Sequence, residues 1–556
     1  MIKKNRQFYT LKLTSGYLAE FNNKVELSFR SAKKYSRMIA LADSQMLRTI
    51  RKVCGKAIDY ADLETWYDER DKLKRKSSSG ENAERISELQ HNIDEMLFIP
   101  QYVTVVMETK KHYEKLFKDG FDVVVDGECR SFRRLSCSAS QARTSTVVFC
   151  DISILDKVVE ILDNGRNKQV PISSAKFNAY FGLYSSASKI VSTPKFCVVP
   201  DFENKKTVTV NHVTETAKND DDLIEVKDIE LAFNRTDGMG LINYEKASLW
   251  ASELGLDYVP AEWCIRQSFT KGMLATFPIQ EFCEVVGGGN FQTKDVYGNL
   301  VDLREIDVIL TESQFKLWNA YPNLDYYQSC CKENDLSWGV AIYTPKEDKN
   351  ILKLNYQFLQ TLDLSDEDIS EVCQQFIRWI SDVNFDNVAS ALLFLLGGEH
   401  SENSIRNYLK SSDAWWIKCL LLDNGLIEDK YFKQKIYNLL KTKINNACLG
   451  QIIVDGNFQV LISDPYAMMQ HVLGMEVSGL LKEGEFYSNY WNERNVSQVD
   501  GMRSPMTYRS EHVLMNLRND TTVNYWYRYL TSGIILNYYG HETMNFAGSD
   551  KICRLA

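Results

Sequence analysis

DGMGLINYEKASLWASELGLDYVPAEWCIRQSFTKGML, residues 237–274, is the stretch that decides the fold reading. Gly238 and Gly240 permit tight backbone turns. A helix over 244–254 separates them from short β-rich pieces. Lys271-Gly272 follows one expected strand and precedes another. On such a loop a lysine can bring its ammonium close to a phosphate, because the neighbouring glycine leaves no side chain in the way. Arg266, five residues earlier, can add a planar, bidentate contact. A surface lysine beside a turn glycine fits the same residues.

Outward from this stretch, residues 228–362 show short strands broken by Gly and Asn, as in LAFNRTDGMGLIN, CIRQSFTKGMLATFP and DVILTES. That is β-barrel texture interrupted by one helix. Residues 363–448 change to helical spacing. Ser365 and Asp368 make a capping start, followed by Ile369, Val372, Phe376, Ile380 and Val383. From Leu449 strands return, and GQIIVDGNFQVLIS reads as two short strands around Asp455-Gly456. Upstream, 26–118 reads as mainly helical. Ala61–Arg75 and Asn82–Leu97 flank an SSSG turn as a helical hairpin would. Strands are expected at 102–107, 122–126 and 145–149, then a helix from Asp151 to about Gly165. The division is a mixed region over 1–227, a barrel over 228–362, a helical insert over 363–448 and a second barrel over 449–556.

Composition narrows the class. The 556 residues are 44% hydrophobic and 25% charged, which excludes a wholly disordered chain. The apolar run Ala389–Leu396 falls well short of the roughly 20 residues that span a bilayer, so no membrane partner is expected. Thirteen cysteines without a CxxC argue against a zinc ribbon or a disulfide framework and for a reducing cytoplasm. The net charge of −9 is uneven: residues 1–150 hold 27 Lys/Arg against 20 Asp/Glu, so +7, and the remainder −16. An acidic total does not forbid nucleic-acid binding, which depends on local patches. The short runs KLKRKSSSGEN (72–82) and KNDDD (218–222) read as solvated loops.

Two further segments carry chemistry. In VDGMRSPMTYRSEHVLMNL (499–517), Pro505 stiffens a loop that holds Arg503 and Arg509. Such a loop can orient an arginine toward a ribose hydroxyl or a phosphate, and solvent-facing arginines fit it too. In ILNYYGHETMNFAGSDKICRLA (535–556), Asp550 follows an apolar stretch, where a polar terminus also fits. Two-metal nucleotidyl transfer needs several converging carboxylates, and KICRLA offers none. Walker A, GxGxxG, HExxH and GxSxG motifs are absent. Gly287-Gly288-Gly289 reads as a hairpin, and His471 and His541 as structural or exposed residues.

In their order and spacing these segments resemble two-barrel RNA polymerases: the cellular RNA-dependent RNA polymerases and the prophage-encoded single-chain enzymes of the YonO type. TDGMGLI…YVPAEWCIRQSFTKGML is similar to their DG-x-G turn, helix and Ile-Arg…Lys-Gly strand. MRSPMTYRS is similar to the Arg-x-Pro loop, and MNFAGSD to the approach to an Asp-x-Asp-Gly-Asp motif. The resemblance covers roughly 228–362 and 449–550, and more weakly RRLSCSASQARTSTVVF at 133–149.

The resemblance implies an α+β fold with two double-psi β-barrel domains separated by the helical insert. It implies that Lys271 contacts phosphates, that Arg503 senses the ribose with Pro505 shaping its loop, and that Asp550 is the first metal-binding aspartate. Arg266, Gly272 and Arg509 fall in the substrate-binding segments. Mg²⁺ is the implied cofactor. The implied partners are nucleoside triphosphates and an RNA or DNA template, RNA favoured. The family's further aspartates are missing after Asp550, so the expectation is a truncated or split polymerase, inactive alone and completed by a second polypeptide. The rivals are a non-catalytic nucleic-acid-binding subunit or remnant, and an unrelated cytosolic protein with chance matches.

Overall fold

In the computed structural model, residues 7–56, 60–76, 80–213, 224–348, 350–381, 387–395, 415–540, 542–546 and 554–555 are described. Asp550, His541, Val383, the SSS of the expected turn at 77–79 and the KNDDD run lie outside them.

The N-terminal region is built on a seven-stranded sheet. Its strands are β1 (Gln7–Thr14), β2 (Lys24–Leu27), β3 (Met38–Ala42), β4 (Phe98–Val106), β5 (Phe121–Val125), β6 (Glu128–Ser136) and β7 (Thr146–Asp151), in the order β2-β5-β6-β7-β4-β1-β3. β4 is buried along almost its whole length. Covered on both faces, it shows no alternation of buried and exposed positions. On one face Leu13, Val105, Val123 and Phe132 pack with Leu18, Ala32 and Leu116, which come from the helices Ser15–Glu20, Phe29–Lys34 and Lys110–Asp119. On the other face Phe8, Tyr102 and Val148 join a core that continues to Trp250, Trp263 and Trp338. The helical hairpin is present, as Tyr60–Lys76 and Glu81–Leu97. The helical reading of 26–118 is corrected at its start: β3 stands in this stretch, and β2 overlaps it. In β2, KVEL alternates exposed and buried with period two, too short a signal to separate from helix.

The remaining strands are β8 (Lys189–Ile190), β9 (Phe196–Val199), β10 (Glu203–Val213), β11 (Ile224–Asn234), β12 (Met239–Ile242), β13 (Glu262–Gln267), β14 (Thr270–Thr276), β15 (Gln292–Lys294), β16 (Leu300–Asp302), β17 (Val308–Thr311), β18 (Gly339–Tyr343), β19 (Ile351–Lys353), β20 (Ile453–Asp455), β21 (Gln459–Ser463), β22 (Glu485–Tyr487), β23 (Gln498–Gly501), β24 (Val513–Leu517), β25 (Ile534–Leu536) and β26 (Arg554–Leu555). A second seven-stranded sheet runs β8-β18-β13-β14-β12-β17-β9, and a six-stranded sheet runs β23-β24-β22-β25-β21-β26. The first of these takes two strands, β8 and β9, from before residue 228. β20 and β21 flank Asp455-Gly456 but do not pair with each other: β20 pairs with β19, and β21 with β25.

These two sheets share one topology. In the first, β9, β12, β13, β14 and β17 serve as strands one to five. β9 is parallel to β17, β17 antiparallel to β12, β12 parallel to β14, and β14 antiparallel to β13. In the second, β21 to β25 repeat the scheme: β21 parallel to β25, β25 antiparallel to β22, β22 parallel to β24, and β24 antiparallel to β23. The spatial order is one-five-two-four-three both times. Helices also recur, with Tyr244–Glu253 and Asn489–Asn492 after strand two, and Ile279–Val285 and Thr521–Trp526 after strand four. One core unites the two units. Phe277 and Phe282 meet Trp526 and Tyr466, with Phe282 and Trp526 ring centroids 5.4 Å apart. Between the units lie helices Asp366–Ser381, Val388–Leu395, Trp415–Leu422 and Lys430–Cys448, with a core at Trp416, Ile417, Leu420 and Ile436. Among the described residues no helix is long and apolar enough to cross a membrane.

Candidate functional site

The repeat gives each unit a hairpin between its third and fourth strands, and the candidate cations sit on both hairpins. In the first unit Arg266 and Lys271 are cross-strand partners on β13 and β14. The turn falls at Ser268-Phe269, so Lys271 is the second residue of a strand rather than part of the connecting loop. Phe269 takes the positive φ of 52° there, and its buried ring packs edge-on to Tyr184. Lys271 is exposed, while its N–H donates to the carbonyl of Gln314 at 3.1 Å. Gly272 is buried because Gln314 lies against it: a Cβ there would meet Gln314 Nε2 at 2.3 Å and the Gly238 carbonyl at 2.5 Å. Gln314 is wholly buried. Its Nε2 donates to the Met273 carbonyl at 2.9 Å, and its Oε1 accepts from the Thr311 N–H at 3.1 Å. This side chain clamps β14 to the turn that enters β12. Arg266 is half-buried; its Nη1 donates to its neighbour's carbonyl, Ile265 O, at 2.7 Å.

In the second unit the hairpin β23–β24 carries the Arg503-x-Pro505 loop, and four anchors fix it. Met506 is buried with Leu352, Leu354 and Phe358. The Ser504 hydroxyl donates to Gln357. Glu511 accepts from the N–H groups of Thr507 and Tyr508, and these bonds hold its carboxyl below its usual value. His512 lies 2.7 Å from Asp500 through Nδ1, and 2.9 Å from the Thr361 hydroxyl through Nε2. Arg503, half-buried, donates from Nη1 to the Phe546 carbonyl at 3.0 Å. Pro505 and Arg509 are exposed.

The chain from β25 toward residue 546 is also held. Asn537 Oδ1 accepts from the N–H of Tyr539 at 3.0 Å and from that of Gly540 at 2.6 Å. Arg235, buried and contributed by the segment before β12, donates to the carbonyls of Gly540 and Tyr539. Burial pushes its guanidinium down to about 10. Asp464 closes the first strand of the second unit. It accepts from the Tyr527 hydroxyl at 2.8 Å and from the N–H groups of Tyr466 and Ala467, and burial raises its carboxyl. Asp201 follows the first strand of the first unit, accepting from the Ser313 hydroxyl at 2.8 Å and from Asn234 Nδ2 at 2.7 Å.

The structure thus places Arg266, Lys271 and Gly272 on one hairpin and Arg503, Pro505 and Arg509 on its counterpart. Asp550 belongs to the undescribed stretch that follows Phe546. Among the described residues no group of three or more His, Cys, Asp or Glu side chains could hold a metal ion. The described residues therefore do not make an Mg²⁺ site. The motifs missed Gln314, Arg235 and His512, whose roles depend on partners distant in sequence, and Glu511, whose partners Thr507 and Tyr508 lie in its own loop. Asp464 had a signal: Asp-Pro at a helix start is an N-cap followed by N1 proline.

A model of the family described as RNA dependent RNA polymerase matches residues 67–514. The DNA-directed RNA polymerase YonO of Bacillus phage SPbeta is 27% identical over 431 residues, spanning 75% of this chain and 47% of that protein. The RNA dependent RNA polymerase QDE-1 from Thielavia terrestris superposes with a TM-score of 0.54 at 12% identity, covering 82% of this chain and 48% of that one. That likeness shows the fold, the two-barrel α+β architecture expected from the motifs. The chain spans about half the length of each of these two relatives.

Proposed function

Since this chain belongs to the RNA-dependent RNA polymerase family, we propose that it forms the two-barrel part of an enzyme that extends RNA by nucleotidyl transfer. The observation that carries the reading is the pair of equivalent hairpins, each presenting cations on a clamped backbone. In phosphodiester formation a 3′-hydroxyl attacks the α-phosphate in line and pyrophosphate leaves. Negative charge grows on the phosphoryl oxygens, and fixed cations stabilise it. Lys271 supplies such a charge, with Arg266 beside it, and Gly272 serves the substrate-binding segment by letting Gln314 clamp the strand that carries Lys271. Arg503 reads the ribose of the incoming nucleotide, Pro505 shapes its loop, and Arg509 adds phosphate contact. Asp550 contributes one carboxylate to an Mg²⁺ site.

A single aspartate does not hold a two-metal centre, and among the described residues no cluster of metal-ligating side chains stands beside it, so polymerisation needs further carboxylates, which a second polypeptide would carry. The template is RNA, with DNA the other candidate, and the reducing cytoplasm is the compartment. Residues 1–227 handle nucleic acid. That absence of a metal-ligating cluster among the described residues favours a second reading, a non-catalytic nucleic-acid-binding subunit.

Photocrosslinking with an azido-nucleoside triphosphate tests the assignment. Lys271→Ala and Arg503→Ala each lower the crosslink about tenfold or more, while Lys441→Ala on the insert leaves it unchanged. An unaltered crosslink in both variants refutes the site. Template-dependent incorporation of labelled nucleotide by the 556-residue chain refutes the claim that it is inactive alone.

A further inference from the structure

The outward layer of the N-terminal sheet carries a cationic, aromatic surface. In helix Lys110–Asp119, Lys111, Lys115 and Lys118 recur at i, i+4 and i+7, one row about 10 Å long. All three are exposed, whereas Leu116 on the opposite side is buried in the sheet's core. Beside the row, Phe117 is 49% exposed. The Arg134 guanidinium from β6 stacks on its ring at 4.7 Å, and Tyr113 lies 5.8 Å away. The adjoining helix Ser15–Glu20 repeats the device, with Arg37 3.4 Å from the Tyr17 ring and Tyr17 against Phe21. Among the described residues no carboxylate lies within ion-pair distance of Arg37, Lys111, Lys115, Lys118 or Arg134. Of the two acids on this helix, Glu114 faces Lys110 at 3.8 Å and Asp119 stands exposed at its C-terminal end.

We propose that this surface binds single-stranded RNA, the lysine row following the phosphates and the Phe117 ring stacking a base. The inference rests on the polymerase reading for the identity of the strand, which would be template or product. Unpaired cations beside an exposed aromatic ring suit a flexible strand, whose bases are free to stack. A basic amphipathic helix also suits an anionic membrane. Here the helix has spent its apolar face on the core, leaving Phe117 as its one large exposed apolar side chain.

The test is anisotropy with a labelled single-stranded RNA on the full chain across a salt series. The variant Lys111→Glu/Lys115→Glu/Lys118→Glu binds at least tenfold more weakly. Its slope of log affinity against log salt falls by about 2, at roughly 0.7 per phosphate contact for single strands. Phe117→Ala weakens binding about fivefold with its slope unchanged. Lys430→Glu/Lys435→Glu/Lys441→Glu, on the helical insert, binds as the parent does. Equal binding by the parent and the lysine-row variant overturns the inference. So does parental binding to phosphatidylserine vesicles but not to RNA, or no RNA binding at low salt. The nucleotide crosslink at Lys271 and Arg503 reads the polymerase site separately. A chain that keeps that crosslink but binds RNA without the lysine row sinks this surface alone. A chain that needs the row but lacks the crosslink sinks the catalytic reading alone.

Discussion

A methyl group at residue 272 has nowhere to go. It would lie 2.3 Å from Gln314 Nε2 and 2.5 Å from the Gly238 carbonyl, one of them main chain. Gly272→Ala therefore costs about 1–3 kcal/mol through forced displacement of β14 or Gln314, read as a lower urea midpoint at an unchanged m-value. The glycine of the Lys-Gly motif is thus tied to the close approach of backbone and amide. Glu511 makes a different prediction. Its folded carboxyl titrates below the ordinary 4.5 because the N–H groups of Tyr508 and Thr507 favour the charged form. A depressed value gives stability that is present above the ordinary value and is lost as pH falls through the folded one. Amide protection at Thr507 and Tyr508, corrected for intrinsic exchange, should hold steady from pH 7 to 5.5 and decline below about pH 4.5. In Glu511→Gln that decline disappears. Unchanged protection down to pH 3.5 in the parent would contradict this role.

At the scale of elements, helices Ile279–Val285 and Thr521–Trp526 occupy the same place in the two repeats and meet through Phe282 and Trp526. Trp526→Ala should cost about 3–5 kcal/mol, seen in denaturant unfolding. A loss under about 1 kcal/mol would mean that this contact does not join the units. Elements held by local signals were legible beforehand. The helical hairpin of 60–97 shows in its period and its turn, and β5 and β7 in their β-branched runs. The Lys271 turn was misplaced because Gly272 read as a loop glycine, the residue type that takes a positive φ most readily. Packing of the Phe269 ring gives that conformation to a phenylalanine instead. Of the proposed site, the lysine and the arginines stood out by residue type and neighbours. The clamps at Gln314 and His512 did not, because each bridges segments far apart in the chain and neither sits in a local pattern.

For the whole molecule, the division into a mixed region, two barrel units and helices between them followed from changes of pattern along the chain. The duplication did not. Five strands in the order one-five-two-four-three appear twice, yet the sequences of the two units show no common period, since strand pairing constrains burial more than identity. Even the boundary reflects this, as β8 and β9 precede residue 228 and belong to a sheet whose other five members follow it. Of the five repeated strands, the last to be synthesised slots between the first two in both units. A growing polypeptide emerging from the ribosome therefore cannot close either sheet until its fifth strand arrives, at Val308–Thr311 and again at Ile534–Leu536. Until then strands one and two stand apart with open edges, a non-local pairing of the kind that slows folding and invites aggregation. Premature termination just upstream of Ile534 would thus leave more than a missing tail: it would strand the second unit with a gap in its middle.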